Sequence, residues 1–149
     1  MRNLARTLMA ISFLVGPLAL ASLAAATTPA NETIVLTRDQ NLNPSGWSAT
    51  GLFTDSGPWT SDQGHFSASR SPKTGTVHLL TTEIGADGST FRMKFEGGID
   101  PNTGAFAGTW TIVSGTGDYA NLHGGGTWER SFATDGSFVF TCPGRVHFD

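Results

Sequence analysis

The chain predicts an all-β fold, an eight-stranded antiparallel up-and-down barrel, on three observations. About eight short runs of β-branched and aromatic residues recur along it with turn chemistry between them. Helical periodicity is almost absent after residue 26. Hairpin turns join consecutive runs, so a closed meander is simpler than a sandwich, and closure also removes exposed sheet edges.

The first part of the 149 residues stands apart from this pattern. Arg2 and Arg6 precede an apolar run, Leu8 to Leu20, of about 13 residues, and Ala24-Ala25-Ala26 supplies a small-residue cleavage site. Residues 1–26 therefore read as a secretory signal peptide and predict a secreted or periplasmic location. The run is short against the roughly 20 apolar residues of a membrane span, and no membrane span is expected after cleavage. Residues 27–32 read as a flexible lead-in and 33–149 as a single domain, long enough to bury a core without staples. Asn31-Glu32-Thr33 has the pattern of a glycosylation acceptor.

Removing Arg2 and Arg6 leaves seven basic against twelve acidic residues, which moves the formal charge from −3 to −5. A mildly acidic chain without a Lys/Arg cluster argues against nucleic acid as a partner. Cys142 is the single cysteine, so no intrachain disulfide can form. With Phe138 and Phe140 as near neighbours and no cation or His beside it, it reads as buried apolar filler.

The first strand is expected at Thr33 to Thr37, followed by a loop from Arg38 to Ser45 and a second strand from Trp47 to Phe53. Thr54 to Gly64, with Pro58 and Trp59, reads as a long turn-rich connection that folds over a barrel end. His65-Phe66-Ser67 is a short strand and Ser69 to Gly75 a loop. Thr76 to Glu83 is a strand closed by the hairpin signal Gly85-Ala86-Asp87-Gly88.

Phe91 to Glu96 alternates most cleanly, with Phe91, Met93 and Phe95 on one face and Arg92, Lys94 and Glu96 on the other. Asp100 to Gly104 reverses the chain. From Phe106 onward, Phe106, Gly108, Trp110 and Ile112 share a face. Ser114-Gly115-Thr116-Gly117 leads into a helical turn over Asp118 to Leu122 that ends at Gly124. Tyr119 and Leu122 are expected to close one end of the barrel. Trp128, Arg130 and Phe132 continue a return strand, Thr134-Asp135-Gly136 turns, and Phe138 to Phe140 is the next strand. Cys142-Pro143-Gly144 is expected to interrupt it before Arg145 to Phe148.

Phe106-x-Gly108-Thr109-Trp110-Thr111-Ile112, then Gly115-Thr116-Gly117-x-Tyr119-Ala120-x-Leu122-x-Gly124-x-Gly126, resembles the barrel superfamily of plant allene oxide cyclases and dirigent proteins, which has many bacterial exported members. The resemblance spans roughly residues 90 to 140. It implies an eight-stranded barrel with an apolar cavity, often trimeric, that holds a reactive hydrophobic molecule and steers its cyclisation or coupling. The catalytic polar residues of those relatives lie outside the matching motif. A lipocalin-like calycin barrel is the alternative: Gly108-Thr109-Trp110 resembles its Gly-x-Trp signature, but that signature belongs near the first strand.

Phe91, Phe95, Trp110 and Trp128 fall on the inward face. They are the candidate ligand-binding walls, with core packing as the plain alternative because a small barrel can be filled by its own side chains. Gly108, Gly124 and Gly126 on the same parity would leave space beside the rings. Glu83 and Arg130 also fall on inward parity and are the candidate catalytic residues. At strand ends the rim is their ordinary place, and an interior position would perturb either one. Gly115-Thr116-Gly117 lacks the Lys and the βαβ setting of a phosphate loop. The four histidines show no metal-ligand spacing, and neither a metal nor a cofactor is expected. No nucleophile elbow is present.

The chain thus predicts an exported barrel that binds a small hydrophobic molecule in its interior. A cyclase- or dirigent-type enzyme that confines a reactive intermediate, and an extracellular interaction module with a packed barrel, are the alternatives.

Overall fold

The computed structural model describes residues 26–38, 45–70, 73–132, 134 and 137–149. Most of the predicted signal peptide, most of the first loop and part of the Thr134-Asp135-Gly136 turn lie outside the described residues. Eight strands form one closed antiparallel barrel in chain order. They are β1 (Ala30–Arg38), β2 (Gly46–Gly51), β3 (Asp55–Arg70), β4 (Lys73–Ile84), β5 (Thr90–Ile99), β6 (Phe106–Gly115), β7 (Leu122–Phe132) and β8 (Phe138–Phe148). β1 pairs with β8, Ile34 opposite Cys142, and this seam leaves no free edge.

Inward positions alternate along the strands and fill the interior. Ile34, Leu36, Trp47, Val77, Phe91, Met93, Phe95, Trp110, Trp128, Phe140, Cys142 and Val146 are all buried. Cys142 is apolar filler, as its sequence neighbours predict.

Five local expectations are corrected. The stretch Thr54 to Gly64 is not a loop: all but its first residue belongs to β3, which pairs with β2 through Pro58 opposite Gly46 and with β4 through Trp59 opposite Glu83. Pro58 lies within the strand with its side chain exposed, while Trp59 points inward and donates its indole N–H to the Thr37 carbonyl at 3.1 Å. A bulge between Ser61 and Gln63 turns Asp62 outward, where it accepts from Thr82 Oγ1 at 2.7 Å and pairs with Arg92 at 3.1 Å.

Within the expected Ser69 to Gly75 loop the described residues are strand, with Ser69 paired to Thr74 and Arg70 to Lys73, and residues 71–72 lie outside the described residues. Cys142-Pro143-Gly144 does not break β8, because outward-facing Pro143 sits in register opposite Thr33. The helical turn is a single 3-10 turn, Gly117–Tyr119, and Leu122 already opens β7. β1 begins at Ala30, three residues before the run that predicts it.

All four tryptophans obey one rule: each indole reaches past the adjacent strand to a carbonyl of the strand beyond. Trp47 on β2 stands opposite Gly57 on β3 and donates to Ile84 O on β4 at 3.0 Å. Trp110 on β6 stands opposite Gly126 on β7 and donates to Pro143 O on β8 at 3.2 Å. Trp128 on β7 stands opposite Gly108 on β6 and donates to Glu96 O on β5 at 3.2 Å. Trp59 on β3 makes the same reach over β2 to β1.

At three of these sites the accepting carbonyl lies where the opposed glycine's Cβ would be, 2.0 Å from it at Gly57, 2.0 Å at Gly108 and 2.1 Å at Gly126. The missing side chain is what lets the carbonyl tip inward and meet the buried N–H. The space that Gly108, Gly124 and Gly126 were expected to leave for a ligand is taken by backbone, the Glu96, Arg145 and Pro143 carbonyls, while the Trp128 and Trp110 rings lie over Gly97 and Gly144.

Candidate functional site

The β2–β3, β4–β5 and β6–β7 connections all fall at one end of the barrel, and the 3-10 turn packs across it. Tyr119, on that turn, is buried and donates its hydroxyl to Asp55 Oδ2. Asp55 also accepts from the Ala86 and Ser56 amides, so one carboxylate ties three connections together. Tyr119 stacks edge-on against Phe91 at 5.0 Å between centroids, and Phe53 lies 5.4 Å from Tyr119 and 6.2 Å from Phe148. Burial, followed by the bond to Asp55, raises the Tyr119 pKa, so the phenol stays un-ionised and remains a donor.

Beside this cluster opens a recess of about 380 Å³ lined by Phe53, Thr54, Asp55, Asp87, Asp118, Tyr119 and Phe148, with Ala86 at its edge. Its walls are rings and its rim is three aspartates. The Asp87 pKa is lowered, chiefly by the Ser89 hydroxyl that donates to it at 2.6 Å. Glu32 lies inward at the same end. Its Oε2 accepts from the Phe53 amide at 3.1 Å while its Oε1 is buried without a partner. Burial raises the Glu32 pKa against the pull of these amides.

Glu83 sits deeper and departs furthest from expectation. It is not at the rim but fully buried, between Trp59 on β3 and Phe91 on β5. Thr81 Oγ1 donates to Glu83 Oε1 at 2.6 Å, and Oε2 has no partner. Burial pushes its pKa up to about 8, so the side chain is a neutral acid at pH 7 and can donate a proton. The Cys142 thiol feels Glu83 only where that acid is ionised, above about pH 8. Burial first, then that charge, raises its pKa and keeps the thiol protonated.

The four predicted wall residues are all interior but do not converge on one site. Phe91 belongs to the Trp47, Phe53 and Tyr119 cluster. Phe95 and Trp128 belong to a second cluster with Phe140, at 5.7 and 5.3 Å from it. Trp110 covers Gly144. Arg130 does lie at the far rim, partly buried among Phe106, Phe132 and Phe138.

Sequence spacing gave no sign of Asp55 or Phe148 as site residues. They lie 64 and 29 positions from Tyr119, too far apart in the chain for any motif to join them. Spacing also missed a surface cluster in which Asp149 sits 3.2 Å from His123 and 3.3 Å from His147, which face each other across β7 and β8. Among the described residues no group of His, Cys, Asp and Glu is disposed to hold a metal ion.

Set against protein-family models, curated proteins and solved structures, the chain has no significant match. No described helix is long and apolar enough to cross a membrane.

Proposed function

We propose that this chain is an exported binding protein for a small, mostly apolar molecule, seated at the barrel end closed by the 3-10 turn. The observation that carries the reading is the recess of about 380 Å³ walled by Phe53, Tyr119 and Phe148 and rimmed by Asp55, Asp87 and Asp118. That volume lies in the range of small-molecule sites, and rings with a few placed polar groups are their usual lining. The chemistry favours a ligand with a hydrocarbon or aromatic body and a hydrogen-bond donor, such as a hydroxyl or amine, directed at the aspartates. The resemblance to the cyclase and dirigent superfamily supports a hydrophobic ligand, and a trimeric state and export through residues 1–26 belong to the same proposal.

A second reading, an enzyme of the cyclase or dirigent type, is favoured by Glu83 alone. A buried neutral carboxylic acid with an unpartnered oxygen is the kind of group that protonates or steers a reactive intermediate.

Native mass spectrometry of the mature protein from its own host's exported fraction, followed by denaturation and identification of any released compound, tests both readings. A released apolar compound carrying a donor is the expected result, and its conversion on incubation would select the enzyme. A clean apo mass that stays unchanged with added apolar alcohols and amines would overturn ligand binding and leave a packed interaction module. The same spectrum reports the number of subunits.

A further inference from the structure

The geometry points to a second, chemically opposite site at the other end of the barrel, where Arg130 receives the carboxylate of a small organic acid. Arg130 is the inward residue that follows Trp128 on β7, opposite Phe106 on β6 and Phe140 on β8. Its guanidinium carbon lies 3.8 Å from the Phe106 ring centre, 4.9 Å from Phe132 and 5.8 Å from Phe138. Rings attract the charge of a guanidinium through its face, but they do not accept the bonds that its N–H groups direct along the edge.

At least one of those edge donors is unused. Nε is buried without a partner, and among the described residues no carboxylate stands within ion-pair distance. The two acidic side chains that the barrel buries completely among the described residues, Glu32 and Glu83, stand at or toward the opposite end, and neither pairs with Arg130. Burial also lowers its pKa, which is the cost of holding an uncompensated cation among phenyl groups.

Beside it Phe132 is 63% exposed, the most exposed large apolar side chain among the described residues. A planar two-donor edge fits a carboxylate bidentately, and an exposed ring next to it fits an aryl or alkyl body. The matching ligand is therefore a small aromatic or aliphatic acid, anion toward Arg130 and body on Phe132.

Titration of the full-length mature protein with 3-phenylpropionate and with its neutral counterpart 3-phenylpropanol, followed by the arginine Nε–Hε resonances in nitrogen-15 NMR, tests this. The expected result is a saturable shift of the Arg130 resonance with the acid and none with the alcohol. With binding followed at the backbone amide of position 132, which is present in every variant, Arg130→Gln should weaken it by about tenfold or more, and Arg130→Lys, which keeps the charge but loses the fork, by a smaller factor. Phe132→Ala, at an exposed position that leaves the fold intact, should weaken it by about threefold. Equal response to acid and alcohol, no saturable shift with the acid, or undiminished binding by Phe132→Ala together with Arg130→Lys would overturn the assignment.

Discussion

Trp110 stands directly opposite Gly126, and its indole N–H passes over that glycine to the Pro143 carbonyl one strand further on, at 3.2 Å. Trp128 and Gly108 repeat the relationship in the opposite sense across the same pair of strands. The two Gly-x-Trp segments, Gly108-Thr109-Trp110 and Gly126-Thr127-Trp128, are thus one reciprocal clasp that ties β5, β6, β7 and β8.

A methyl group at position 126 would lie 2.1 Å from Pro143 O, so Gly126→Ala must displace backbone. We expect a loss of about 2–4 kcal/mol in urea unfolding. Trp110→Phe keeps an aromatic ring but removes the N–H from the part-buried Pro143 carbonyl, at about 1–3 kcal/mol. The double variant should cost less than the sum, because both changes act on the same carbonyl. Strict additivity would show that the clasp is not a unit.

Glu83 sets a pH dependence. Its folded pKa, about 8, lies above the ordinary value of 4.5, so the folded state holds a proton that the unfolded chain releases. Its favourable contribution is complete below pH 4.5 and is lost as pH rises to about 8, with stability falling across that window. Glu83→Gln removes the titration. The difference in unfolding free energy between the variant and the parent should therefore grow with pH between these limits, by a few kcal/mol in all at about 1.4 kcal/mol per pH unit. Parallel profiles from pH 4 to 9 would contradict a neutral buried acid.

Tyr119→Phe removes the hydroxyl that Asp55 accepts while keeping the ring against Phe91. A bond to a carboxylate contributes about 1.5–3 kcal/mol, less where solvent reaches it. Amide hydrogen exchange should quicken at Ala86 and over residues 116–121, the segments that Asp55 and Tyr119 hold, while the central amides of β6 and β7 keep their protection. A uniform change through the barrel would mean that the recess end is not a separate unit.

Alternation and turn chemistry were enough to read the fold class. The period of two in Phe91 to Glu96 and in Phe106 to Val113 places the same residues inward that the barrel buries, because strand periodicity is local. The stretch from Asp55 to Gly64 misled for a reason equally physical. Its Gly and Pro content signals turns, yet the tertiary structure spends Gly57 on the tipped Ile84 carbonyl and leaves Pro58 facing solvent.

By itself, then, the sequence determined an antiparallel barrel, its meander order and the inward faces of β5 and β6, since these follow from neighbours a few positions apart. Only the tertiary structure decided what those side chains do. Closure of β1 on β8 turned a strand-end Glu83 into a buried acid, gave the space beside the inward glycines to carbonyls of neighbouring strands, and brought Asp55, Tyr119 and Phe148 around one recess. These are relations between strands distant in the chain, and their distances exist only once the barrel has closed.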